Sequence, residues 1–331
     1  MIRSLVPFVL ALFLLAGCSG RKFYEPLLVT DSLDFAGRTD APLVFVGAAG
    51  ATLEDGTVLT LQESLTKVLP EGFVLVGFEG ERLIGADDGG KITIVDPDSG
   101  ESRTLQFDTK IVAATGSEGL LALVTAQNVL LLADGESGEI HFKGKERPER
   151  AVDTRVAPPL FLDGAVLFGT LGGKLVSVDY HRFRTIRETV ISSEPHFANV
   201  IYLEREGESI IAATPQRLFA LHRGDVNTFD GQIRDVRLDG DTIWVVTVEG
   251  EVFRMSRQLQ VLDQKKFPFA RFVALSLFGD RVILVEKEGY VLVLDRGLTQ
   301  EGVYRLPEAI DAPIFSAGDR IYYDDRYIQL R

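Results

Sequence analysis

The sequence predicts an all-β fold: a single β-propeller of eight blades, each of four antiparallel strands, its ring closed by an N-terminal strand. Three observations predict it. A hairpin unit recurs along the chain, its copies lie about 40 residues apart, and no sustained helical stripe interrupts them. The unit is clearest in "GERLIGADDGGKITIVDPDSGE" (residues 80–101), where two five-residue apolar runs end in Asp-Asp-Gly-Gly and Asp-Pro-Asp-Ser-Gly. "LDGAVLFGTLGGKLVSVDY" (162–180), "LDGDTIWVVTVEGEVFRMS" (238–256) and "FGDRVILVEKEGYVLVLDRG" (278–297) repeat the plan, and weaker copies start near residues 41, 119, 207 and 317. Four short strands per unit of about 40 residues is the pattern of propeller blades.

Taken in order, Val44, Leu83, Leu121, Val166, Ile211, Ile243, Ile283 and Ile321 mark eight hairpins, spaced 32 to 45 residues apart. The uneven spacing leaves seven blades as the alternative count. Runs such as Leu83-Ile84-Gly85-Ala86 and Val245-Val246-Thr247-Val248 are apolar or small on both faces. A sheet wetted on one side alternates, whereas a blade packed between two neighbours need not. Residues 61–69 and 182–190 fall between hairpins and read as outer strands or loops. The last unit stops at Arg331 with no room for an outermost strand. Leu-Leu-Val-Thr at residues 27–30 is therefore predicted to supply it and close the ring.

The N-terminus carries a separate message. Arg3 precedes an apolar run over residues 5–15 that is short for a bilayer span, as in an export signal. Leu15-Ala16-Gly17-Cys18 then resembles the lipobox of bacterial lipoproteins, and Cys18 is the single cysteine of the chain. The resemblance implies cleavage after residue 17, with diacylglycerol and an N-acyl chain such as palmitate on Cys18. Ser19, where Asp is the usual inner-membrane retention signal, implies sorting to the outer membrane with the body facing the periplasm. The expected organisation is thus a signal peptide over 1–17, a lipidated tether over 18–25 and the propeller over 26–331. The formal charge of −13 drops by one further unit when Arg3 leaves, which disfavours nucleic acid as a partner.

Motifs that suggest chemistry fail on inspection. His141, His181, His196 and His222 have no metal-ligand spacing. "TGSEG" (115–119) begins with Thr where a nucleophile elbow needs Gly, and no strand-to-helix context follows. "DPDSGE" (96–101) lacks the third acidic oxygen and the distal Glu of a calcium loop. Asp87-Asp88-Gly89-Gly90 and Tyr322-Tyr323-Asp324-Asp325 read as hairpin turns. Gly47-Ala48-Ala49-Gly50 fits neither phosphate-binding fingerprint, and Trp244 reads as a packing residue. No catalytic, metal or cofactor residue is predicted, and the chain is expected not to be an enzyme.

The strand–DG or GG–"KITIVD" or "KLVSVD" repeat resembles that of pyrroloquinoline-quinone-type propellers over most of residues 40–331, without the Trp that closes many such repeats. A lipobox followed directly by one such propeller resembles the BamB family of outer-membrane lipoproteins. The resemblance implies an eight-bladed scaffold, monomeric outside its complex, that binds envelope proteins of the barrel-assembly machinery. Candidate contacts on the longest inter-hairpin segments (139–159 and 180–200) are Lys143, Lys145, Arg147, Arg150, Arg182 and Arg184. The alternative is a small-ligand binder or enzyme using the central funnel, marked by acids, His and Arg converging there.

Overall fold

The computed structural model describes residues 22–62, 64–149, 153–192 and 198–330. Cys18, Ser19, Arg150 and His196 lie outside them. Eight antiparallel blades form the ring, which resolves the alternative of seven. The first is Leu43–Val46, Ala51–Leu53, Thr57–Leu59 and Ser64–Lys67. The second is Val74–Glu79, Arg82–Ala86, Lys91–Val95 and Ser102–Gln106, and the third Ile111–Ser117, Leu120–Thr125, Val129–Asp134 and Ile140–Lys145. The fourth is Leu160–Leu162, Ala165–Gly169, Lys174–Asp179 and Arg184–Val190. The fifth is Tyr202–Glu206, Ser209–Thr214, Arg217–His222 and Asp225–Asp230. The sixth is Ile233–Asp239, Thr242–Thr247, Glu251–Ser256 and Val261–Lys266. The seventh is Phe272–Phe278, Arg281–Glu286, Tyr290–Asp295 and Gln300–Arg305, and the eighth Ile314–Ala317, Arg320–Tyr323 and Arg326–Gln329.

The first strand of each blade lies innermost, and at most junctions it meets the first strand of the neighbouring blade. In blades 2 and 3 these strands pair directly in parallel, Gly77 opposite Ala114 and Glu79 opposite Gly116. The hairpin legible in the sequence is consequently the second and third strands, the middle of the blade. These are buried on both faces, as at Leu83–Ala86 and Ile92–Val95, because each blade is sandwiched between two others. Outer strands instead alternate exposed and half-buried side chains, as in Ser102–Gln106 and Val261–Lys266. Seven of the eight marker residues fall on second strands, while Val44 falls on the first strand of blade 1, whose second and third strands have only three residues each.

Ring closure differs from the expected strand. Gly37–Arg38 pairs antiparallel with Arg326–Gln329 and completes blade 8, flanked by bonds from Ala36 N to Tyr327 O (2.8 Å) and Thr39 N to Asp325 O (2.8 Å). Residues 27–30 instead run up to the outer edge of blade 7. Thr30 N donates to Val303 O, and Asp31–Ser32 pairs in parallel with Tyr304 and Arg305. The apolar Leu-Leu-Val run suggested a strand, but burial decides otherwise: Phe35 stacks on Tyr323 with ring centroids 5.9 Å apart, and Leu33 packs beside it in the core between blades 7 and 8. That contact seats residues 36–39, not 27–30, on the open edge.

The acid-glycine clusters are turn hardware. Asp96 Oδ1 accepts from Asp98 N (3.1 Å) and Ser99 N (2.9 Å), and Asp134, Asp179 and Asp295 repeat the arrangement in blades 3, 4 and 7. In the preceding turn, Gly90 has φ +85°, and a Cβ there would lie 2.4 Å from Phe107 O. Gly90 O in turn accepts from Phe107 N, which folds the chain back after the outer strand; Gly250 and Phe267 do the same in blade 6.

These turns also set an acid sensitivity. The backbone N–H groups of Ser99, Ser137, Arg182 and Thr299 are the main cause holding the carboxyls of Asp96, Asp134, Asp179 and Asp295 below the ordinary 3.8. A carboxyl whose folded value is depressed contributes stability that is complete above the unfolded value and is lost as pH falls through the folded one. The denaturant midpoint should therefore decline with acidification below about pH 4. Replacing Asp134 and Asp295 together by Asn should flatten that decline; an unchanged slope would refute the assignment.

Candidate functional site

Propellers place function at the ends of the central channel, and here one mouth holds a cavity of about 270 Å3. Its charged lining comes from two sources, the connection between blades 3 and 4 and the inner strand of blade 6. The connection dips into the channel over residues 153–155. Thr154 Oγ1 donates across the opening to Val46 O in blade 1 (2.8 Å), and Asn199 Nδ2 donates to Arg155 O (2.8 Å). Asp153 and Arg155 form a two-pronged pair, with Nε to Oδ1 at 3.0 Å and Nη2 to Oδ2 at 2.5 Å. Arg155 Nη1 also reaches Arg234 O in blade 6, 79 residues away. Burial alone would push the Asp153 carboxyl up. The hydrogen bond and charge of Arg155 outweigh it and hold the carboxyl below its usual range.

From blade 6 come Arg234, Asp235 and Arg237. Arg237 Nη1 donates to Asp235 Oδ1 (2.6 Å), so these two charges also cancel. Arg234 is different. Among the described residues its guanidinium has no hydrogen bond or ion pair, although it lines the cavity. Burial, and then the positive charge of Arg155, push its pKa down, and the carboxylates of Asp235 and Asp153 offset this only in part. Ser316 Oγ, on the same cavity wall, is buried and has no hydrogen-bond partner among the described residues. Tyr202 completes the polar rim; burial and the neighbouring Glu204 carboxylate, to which it donates, push its hydroxyl pKa upward. Val46, Val273 and Phe315 supply apolar walls. Among the described residues the arrangement holds two Arg–Asp pairs and a third arginine without a hydrogen-bonded counter-ion, a geometry for receiving an anionic group.

Local structure explains why Arg234 points there. It occupies a bulge between Ile233 and Asp235, where the ladder skips one residue. A bulge re-aims the extra side chain. A bulge recurs near the start of four other inner strands, at the second residue in three (Val44, Val112 and Val273) and at the third in blade 2 (Val76). One blade has thus exchanged the valine of the repeat for a cation. Aligning the units on their first strands would have revealed this in the sequence; the hairpin register left those strands out.

The sequence-derived candidates sit elsewhere. Lys143 and Lys145 are exposed on the outer strand of blade 3, and Arg147 follows it, its carbonyl accepting from Asn128 Nδ2 (2.8 Å). Arg182, paired with Asp179 (3.0 Å), and Arg184 lie at the start of the outer strand of blade 4. His141 stacks on Phe183 at 4.9 Å, joining these two edges. They form a rim surface remote in the fold from the channel lining. His222 is bonded to Ser209 Oγ (2.7 Å). Among the described residues no cluster of His, Asp and Glu could hold a metal, and no helix is long and apolar enough to cross a membrane.

Fold and repeat together define a closed eight-bladed propeller of the pyrroloquinoline-quinone-like repeat class. The chain belongs to the family described as outer membrane protein assembly factor BamB, which matches residues 48–260. Among curated proteins it is 32% identical over 243 residues to the plasminogen-binding protein PgbB of Helicobacter pylori strains J99 and 26695. That alignment covers 70% of this chain and 45% of PgbB, so the chain spans under half the length of these relatives. Among solved structures, BamB from Moraxella catarrhalis superposes with a TM-score of 0.64 at 15% identity, over 89% of this chain and 99% of that one. The C-terminal WD40 domain of Sif2 gives 0.63 at 13%, over 95% and 100%. These two likenesses concern the fold.

Proposed function

We propose that this protein is a non-enzymatic scaffold of the bacterial envelope, lipid-anchored at Cys18 in the outer membrane, that docks protein partners of β-barrel assembly. The observation that carries the reading is Arg234, a cation at the channel mouth that, among the described residues, makes no hydrogen bond or ion pair, while the two neighbouring carboxylates are bound to other arginines. An acidic side chain of a partner, inserted there, would give Arg234 a directly hydrogen-bonded counter-charge in a partly buried setting, where one charge pair contributes strongly to binding. Membership of the BamB family and the binding activity in the name of PgbB support a protein-binding role. The opposed Arg–Asp pairs support docking over catalysis, since both carboxylates are already engaged by arginines.

The test is recovery of partners with the anchored protein from membranes in mild detergent, with and without Arg234→Glu. Wild type should bring down the barrel-assembly complex. The variant should keep its unfolding midpoint and lose about 2 kcal/mol or more of affinity, roughly 30-fold. An unrelated envelope complex would refute the assembly role while sparing the docking role. Undiminished recovery with Arg234→Glu would refute the docking site.

A further inference from the structure

The N-terminal arm presents an apolar groove that the channel site does not explain. Tyr24 is buried, edge-on to Phe267 and Tyr290 at 6.3 and 5.6 Å, and Thr30 N bonds Val303 O at 2.6 Å. The chain is thus pinned to blade 7 at both ends of a short arch. Between the pins Leu27 is fully exposed and Leu28 is 73% exposed. Phe23 and Phe269, each about half exposed, join them along one groove. Its rim is mainly basic, with Lys22, Lys265 and Lys266 against Glu25. Lys22 Nζ stands 5.2 Å from the Phe269 ring centre, and the Arg271 guanidinium 5.9 Å from that of Phe23.

Large apolar side chains gathered on a surface mark a contact site. Aromatic and leucine side chains interleaved with lysines suit the boundary between lipid headgroups and acyl chains, where rings and leucines enter and ammonium groups stay at the surface. The position of the anchor argues for the same occupant. Cys18 lies four residues before Lys22, and four residues of fully extended chain reach no more than about 14 Å. Acyl chains on Cys18 would hold the Lys22 end of this groove within that distance of the bilayer, at an effective concentration high enough for a weak apolar contact to persist. We propose that the groove formed by Phe23, Leu27, Leu28 and Phe269 seats on the phospholipid surface, so that the propeller rides with the outer rim of blades 6 and 7 against the membrane. The inference rests on the lipid anchor at Cys18 proposed above.

The experiment uses the acylated full-length protein in vesicles of phosphatidylethanolamine and phosphatidylglycerol with brominated acyl chains. Leu28→Trp is compared with Ile186→Trp, an exposed site on the outer strand of blade 4, three blades away. Buried Trp244 contributes equally to both. The indole introduced by Leu28→Trp should be quenched at least about twofold more than the one introduced by Ile186→Trp, and adding Leu27→Glu should abolish the difference. Equal quenching in the two variants would overturn the membrane contact. A discrete protein adduct from a photo-crosslinker at position 28, without quenching, would overturn it in favour of a protein occupant. The mass of the N-terminal peptide reads the anchor separately: an unmodified Cys18 would overturn the premise itself.

Discussion

Gly77→Ala is expected to destabilise the protein by about 3 kcal/mol or more, at the upper end of what one added methyl group costs. Gly77 lies where the inner strands of blades 2 and 3 pair in parallel, and a Cβ there would stand 1.7 Å from the carbonyl oxygen of Ala114. The obstacle is backbone within a ladder, so no rotamer change relieves it, and the two strands must separate. Separation removes the register of Phe78 on Thr115 and Glu79 on Gly116. It also disturbs Glu79 as acceptor for Arg103, which ties the outer strand of blade 2 to the carbonyl of Gly135 in blade 3. At roughly 2 °C per kcal/mol for a chain of this size, the midpoint of thermal unfolding should fall by about 6 °C. Gly80→Ala is the control. Gly80 has φ +60° and nothing within 4 Å of the added Cβ, so its cost is the conformational one alone, about 1 kcal/mol. A Gly77→Ala protein no less stable than Gly80→Ala would dismiss the steric account.

Removal of the closing strand should cost more still. A chain beginning at Asp40 loses the pairing of Gly37–Arg38 with Arg326–Gln329, the bonds from Ala36 and Thr39, the ion pair of Arg38 with Asp325 and the packing of Leu33 and Phe35 on the core of blades 7 and 8. Apolar burial and backbone bonds of that extent sum to roughly 4–6 kcal/mol beyond what is lost by starting at Asp31. The shorter truncation removes Tyr24 and the Thr30 contact but leaves the ring closed. Guanidinium midpoints of the two truncations should therefore differ clearly, and only the Asp40 chain should scatter light at high concentration, because only it bares the outer edge of blade 8. Closure by residues 27–30 makes the opposite prediction, with the Asp31 chain already carrying most of the damage.

How far the sequence could be read depended on the range of the interaction concerned. The turns at Asp87, Asp96 and Asp295 were legible because each carboxylate bonds N–H groups two to four residues ahead, a contact contained in the local string. The repeat was legible for the same reason, since second and third strands joined by a tight turn are neighbours in the chain. The first strands were not. Their partners around the axis belong to other blades, and their bulges interrupt the alternation that would reveal them. Arg234 was missed on that account. The basic residues at 143–150 and 182–184 attracted notice through local charge density, which marks a solvated outer strand as readily as a contact surface.

The sequence by itself determined the all-β repeat of about 40 residues, the identity of its turn residues and the strands buried on both faces, all written in short-range hydrogen bonding and in short apolar runs that do not alternate. Only the tertiary structure decided which strand lines the channel, which N-terminal residues close the ring and which charges meet at the mouth. Ring closure brings Asp153–Arg155 against a carbonyl 79 residues away and lays Gly37–Arg38 beside the end of the chain. Such contacts are set by how eight blades share one axis, and no local pattern encodes that geometry.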